Sequence, residues 1–324
     1  MRHLRQRSAG LPQLDGGLFF TDGGLETDMI FNHGLELPAF AAHTLLQDAV
    51  GRAALVRYWR GFLALAQLTG HGFILDCATW RASRAWADAL QCTPERLAAA
   101  NREAVHFAAE LRDEFAANRG AIVLNGLIGP RDDAYAPEAW IDAEDSAAYH
   151  SEQIGWLAST EVDMVSALTM THSGEAVGVV RAAARTGLPV VISFTVETDG
   201  CLPSGESLAE AIGETDAQTD GFASYFMINC AHPEHFEEAL AGCRLARRVR
   251  GLRCNASRCS HEALEQATSL DAGCPDELAG AYARLRGSHP WLNVFGGCCG
   301  TDLRHITAMT GVLARDEQPL VVDA

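Results

Sequence analysis

The stretch TPERLAAANREAVHFAAELRDEFAANRGAIVLNGLIG, residues 93–129, sets the pattern for the whole chain. Thr93 is placed to cap a helix, Pro94 occupies its first turn and Glu95 follows, where an acidic side chain meets the positive helix end. A helix over 93–117 is therefore expected. The run AIVLNGLIG (121–129) is short, apolar and closed by glycine, as in a strand buried on both faces of a parallel sheet.

The same alternation recurs along the chain. Further strands are expected at GLFFTDG (17–23), GFILDCAT (72–79), VDMVSALT (162–169) and PVVISFTVE (189–197). SYFMINCAH (224–232), GLRCNAS (251–257) and WLNVFGGCC (291–299) complete the set. Helices are expected over 51–70, 146–160, 233–249, 274–285 and 301–314. In the first, Leu55, Tyr58, Trp59, Phe62, Leu63 and Ala66 share one face. Eight such units predict an α/β protein, a (β/α)8 TIM barrel. A doubly wound sheet is the alternative, but no G-x-G-x-x-G lies between a strand and a helix. A flexible N-terminal arm is expected over 1–16 and a single barrel domain over 17–324. Residues 131–145 and 198–220 read as long loops after strands three and five, on the face where barrel active sites lie.

Composition removes several functions. The formal net charge is −17, which disfavours nucleic acid. All 25 basic residues are Arg. Lysine Schiff bases and a P-loop lysine are thereby excluded. No apolar run approaches the length of a membrane span, and residues 1–14 lack a signal-peptide core. A cytoplasmic, reducing location is expected, with the ten cysteines unbridged and mostly small buried hydrophobes.

The cysteines that depart from that role lie at strand ends. In a barrel, Cys230 on strand six and Cys298 and Cys299 on strand eight reach the same rim. Three thiolates converging there suit zinc and leave its fourth position open. A buried turn of small residues is the plain alternative for the pair. Cys77 lies near the mouth, the spacing of Cys254 and Cys259 suits core packing better than a second metal site, and His232 reads as the start of a helix. Strand ends also bring Asp22, Glu26, Thr79, Thr169, Glu197 and Asn255 to the mouth as substrate-binding candidates. Asp22, Glu26 and Glu197 are the candidates for direct participation.

DGGLET (22–27), NC (229–230) and GGCCGTD (296–302) together resemble the homocysteine S-methyltransferase family, in order and over about residues 19–314. The resemblance implies a (β/α)8 barrel, zinc held by Cys230, Cys298 and Cys299, and methyl transfer from a small onium donor of the S-methylmethionine, S-adenosylmethionine or betaine type. The acceptor would be the thiolate of L-homocysteine and the product methionine. It also implies a glutamate at the end of strand four for the substrate amino group, where this chain has Leu168 or Thr169. Glu197, Asp22 or Glu26 is expected to substitute, and Arg81 could meet a carboxylate or form a peripheral salt bridge. Another thiol or selenol acceptor, or a non-catalytic zinc or redox-sensing barrel, are the alternatives. The expected partners are small molecules, with neither nucleic acid nor membrane, and a homo-oligomer is left open.

Overall fold

The computed structural model describes residues 10–134 and 140–314. Eight strands run parallel and close into a barrel in chain order. They are β1 (Phe19–Phe20), β2 (Gly72–Cys77), β3 (Ile122–Ile128), β4 (Met164–Met170), β5 (Val190–Phe194), β6 (Tyr225–Asn229), β7 (Val249–Cys254) and β8 (Val294–Gly297). Closure is made where Phe19 pairs with Gly72 on one side and Val294 on the other. Each expected strand is present, trimmed or shifted by a few residues at its ends.

One main helix follows each strand: α1 (Ala49–Thr69), α2 (Pro94–Glu114), α3 (Ala143–Ala158), α4 (Ser173–Thr186), α5 (Leu208–Gln218), α6 (Pro233–Gly242), α7 (Pro275–Ser288) and α8 (Leu303–Leu313). Local chemistry sets their starts. Asp48 caps α1 by accepting the Val50 and Gly51 amides at 2.8 and 2.9 Å, and Thr93 caps α2. The six apolar residues on the expected face of α1 are all buried. Burying a large side chain of that kind contributes roughly 1.5–3 kcal/mol, so the stripe is enough to dock the helix on the barrel.

Two expectations are corrected. Residues 198–220 are not one long loop, because α5 occupies nearly half of the stretch. Ser207 and Glu210 form a reciprocal capping box that starts it. Nor are residues 10–16 part of a loose arm. Pro12–Asp15 form a 3-10 turn, and Leu11 joins the cluster of Phe19, Ile74, Val123, Met164, Val191, Tyr225, Met227 and Val294 that fills the barrel where the strands begin. Gln13 is fully buried there. Its amide donates to the Tyr225 hydroxyl at 3.2 Å, and its carbonyl accepts the Asn293 amide at 2.7 Å. The chain thus closes the floor of the barrel before its first strand. Residues 1–9 of the expected arm, 135–139 of the expected loop 131–145 and 315–324 of the expected domain lie outside the described residues. Among the described residues no helix is long and apolar enough to cross a membrane.

Candidate active site

The strand C-termini open on a cavity of about 390 Å³, lined by residues of β2, β3, β4, β6 and β7 and of the loops after β1, β2, β3, β6, β7 and β8. Two residues at this rim hold left-handed backbone conformations: Thr169 (φ +64°) within the register shift of β4, and Cys230 (φ +59°) just past β6. A non-glycine residue there costs about 1–3 kcal/mol, so the surroundings must hold it. Asn229 does this for Thr169. Its Oδ1 accepts the Thr169 amide at 2.8 Å and the Ser193 hydroxyl at 2.6 Å, while its Nδ2 donates to Thr169 Oγ1 at 2.8 Å.

The tandem cysteines sit on the turn between β8 and α8. The Cys298 amide donates to the Cys254 carbonyl at 2.9 Å, and the Cys298 carbonyl accepts the Thr301 hydroxyl at 2.7 Å. A Cβ at Gly24 would lie 2.5 Å from that carbonyl, so the second glycine of DGGLET is required by the approach of the two loops. Cys230, Cys298 and Cys299 place their sulfurs within 4.8 Å of one another. The Cys230 and Cys299 sulfurs are 3.7 Å apart, close to the edge of about 3.8 Å that a tetrahedron with 2.3 Å zinc–sulfur bonds requires. Hydrogen bonds from Cys230 and Cys299 hold the Cys298 thiol well below the usual thiol value. The same sharing pushes Cys230 well above it. The donor set and its spacing fit a thiophilic divalent ion.

Beneath the sulfurs lies a charge network that the sequence did not announce. Arg253, on β7, is buried inside the barrel and donates to Asp22 Oδ1 at 2.6 Å, to Asp76 Oδ2 and to the Gly297 carbonyl at 3.2 Å. Trp59 from α1 donates to the second Asp22 oxygen at 3.2 Å, and Asn125 to the second Asp76 oxygen at 2.7 Å. Burial works against the Arg253 charge, but the Asp76 and Asp22 carboxylates outweigh it and keep the guanidinium protonated. Burial likewise pushes the Asp22 carboxyl up, against the pull of Arg253. This network ties β1, β2, β7 and β8 together directly below the cysteines.

The candidates from sequence divide accordingly. Asp22, Glu26 and Thr169 line the cavity. Asp22 is committed to Arg253 and Trp59. Glu26 faces the cavity, and burial followed by the Cys298 charge pushes its carboxyl up to about 7, against a hydrogen bond from its own backbone. Thr79 is not among the residues lining the cavity; its hydroxyl donates to the Leu127 carbonyl at 2.8 Å. The Asn255 amide donates to the Cys230 carbonyl at 2.9 Å. Glu197 also sits apart from the cavity. Its half-exposed carboxylate pairs with His261 at 3.0 Å. Arg81 lines the cavity while bridging to Asp133 at 3.2 Å and stacking 3.8 Å from the Trp86 ring centre, so its salt bridge lies on the cavity wall. His232 caps α6 through Nδ1, and burial holds it at about 4, below the usual histidine value. The loop after β5 does not line the cavity; the loop after β7 does, with Ser257, Leu264, Glu265 and Leu270.

A parallel barrel whose strand ends gather three thiols beside a ligand-sized cavity is the architecture of an enzyme acting on a small molecule. A family model described as homocysteine S-methyltransferase matches residues 19–313. The chain belongs to the homocysteine S-methyltransferase family and is a methyltransferase. Solved structures of the homocysteine methyltransferase MmuM from Escherichia coli share the fold. Its oxidised form matches with a TM-score of 0.72 at 19% identity, over 95% of this chain and 99% of that one. Its metallated form matches with a TM-score of 0.71 at 19% identity, over 92% and 98%. No curated protein matches the chain.

Proposed function

We propose that this protein moves a methyl group from a small onium donor to the thiolate of L-homocysteine, giving methionine, at a zinc ion held by Cys230, Cys298 and Cys299. The observation that carries the reading is the meeting of these three sulfurs within 4.8 Å at the mouth of the barrel. Bound there, zinc supplies a Lewis acid that keeps the acceptor sulfur deprotonated at neutral pH.

The remaining work falls to the chain's own residues. Glu26 lines the cavity on the β1 side with Cys298 close by, where it can accept the substrate ammonium in place of the apolar Leu168. Phe31, Phe40 and Trp80 also line the cavity; ring faces of this kind attract a sulfonium or quaternary ammonium. The buried apolar wall excludes water and strengthens the attraction between a cationic donor and an anionic acceptor. In the transfer, a sulfur–carbon bond forms as the bond from methyl to the onium centre breaks. The donor leaves neutral, so no general acid or base is required. The Arg253 network keeps the floor rigid beneath this geometry. A thiolate-metal site and unbridged cysteines suit a reducing, cytoplasmic setting.

Leu168 on the cavity wall supports a second reading, in which the acceptor is another thiol or a selenol without an ammonium group. Methyl transfer is to be assayed with homocysteine and a panel of thiols against S-methylmethionine, S-adenosylmethionine and betaine. Methionine formation from homocysteine is expected. Turnover of another thiol alone would transfer the proposal to the second reading.

A further inference from the structure

Cys230 keeps a left-handed backbone beside the tandem pair, and it is held from beyond the cluster: its amide donates to the Arg253 carbonyl at 3.0 Å, and two side chains bind its carbonyl. Its carbonyl accepts Asn255 Nδ2 at 2.9 Å and His261 Nε2 at 2.5 Å. His261 is buried and opens the short helix His261–Glu265 in the loop after β7, capped by the Ser260 hydroxyl. Its Nδ1 meets the Glu197 carboxylate from the loop after β5 at 3.0 Å. A carbonyl and a carboxylate only accept, so both ring nitrogens donate and the ring orientation is fixed from both sides. Leu264 and Glu265, on the same short helix, line the cavity. One imidazole therefore connects the cavity wall, a β5 loop carboxylate and the backbone of one sulfur donor.

We propose that His261, oriented by Glu197, is a positioning residue that fixes Cys230 for metal ligation and anchors the loop after β7 to that ligand. The proposal rests on the three-cysteine zinc reading. It reassigns Glu197 from the substrate to the support of the metal site. Partners that orient a ligand from behind typically change metal affinity by roughly 10–100-fold when removed.

The test is zinc affinity, measured by competition with a chromophoric chelator on the reduced, metal-free full chain. His261→Ala is expected to bind zinc roughly 10–100-fold more weakly than wild type, with the thermal midpoint of the metal-free protein little changed. Glu197→Ala is expected to lose affinity by a smaller factor. Glu197→Gln keeps an oxygen that accepts from Nδ1 and should restore most of the loss. A folded His261→Ala protein with wild-type zinc affinity overturns the proposal. If that variant does not fold, the comparison passes to Glu197→Ala and Glu197→Gln, and wild-type affinity in both overturns it. Wild type that takes up no zinc fails the functional reading itself and removes the ligand the brace would serve, an outcome distinct from equal binding by wild type and variants.

Discussion

Replacing Arg253 by methionine isolates the charge network beneath the cysteines. The side chain is only 6% exposed, and the Asp22 and Asp76 carboxylates it binds are each 2% exposed. Methionine fills much of the same volume but donates nothing, so two carboxylate contacts and the Gly297 carbonyl contact are lost together. Trp59 and Asn125 continue to satisfy one oxygen on each carboxylate, which limits the damage. Removing one partner from a buried ion pair costs about 3–5 kcal/mol. In a chain of this size that lowers the thermal midpoint by about 4–7 °C. The pH dependence has a defined sign. Asp22 is already pushed up by burial and loses the guanidinium that opposes it. A carboxyl with a folded-state pKa above its unfolded value binds protons more tightly when folded, so its penalty is relieved as pH falls. The deficit of Arg253→Met, from urea denaturation with unchanged m-value, should be larger near pH 8 than near pH 5.5. Adding Asp22→Asn should recover about 1–3 kcal/mol near pH 8. A deficit below about 1 kcal/mol, or one that widens on acidification, would refute the account of this network.

Other outcomes follow from the cavity and its rim. Glu26→Gln should raise the KM for homocysteine by about 10–100-fold, through loss of a charge-assisted hydrogen bond. It should alter KM far less for a thiol lacking the amino group; equal effects on both acceptors would remove Glu26 from ammonium binding. Gly24→Ala sets a methyl 2.5 Å from the Cys298 carbonyl. It should destabilise the fold by about 1–3 kcal/mol and weaken zinc binding, both measurable by thermal melts with and without metal.

The barrel was readable because its strands are short apolar runs and most of its helices carry a one-sided stripe. Helix α4 was harder, since its Gly-Val-Val segment has low intrinsic helix propensity and is buried on most sides. Helix α5 was missed, because the Gly, Pro and Ser residues before it make 198–220 read as a loop; its one local signal is the Ser207–Glu210 capping box. The three sulfurs were legible because their chemistry is specific and strand ends in a barrel converge. Arg253 was not, because an arginine in GLRCNAS gives no sign of facing inward until Asp22 and Asp76 are seen opposite it. Thr79, Glu197 and Asn255 share a second limit. Position at a strand end places a side chain near the mouth, but whether it faces substrate or supports a neighbour depends on contacts 25–64 residues away in sequence. For His261 the only cue was a loop histidine following a serine cap.

The most direct measurement is the zinc content of reduced, purified protein together with methyl transfer to homocysteine, in wild type and in Cys298→Ser. About one zinc per chain is predicted for wild type, falling with activity in the variant. Undiminished transfer by a zinc-free wild type, or a Cys298→Ser protein that keeps both metal and activity, would contradict the account.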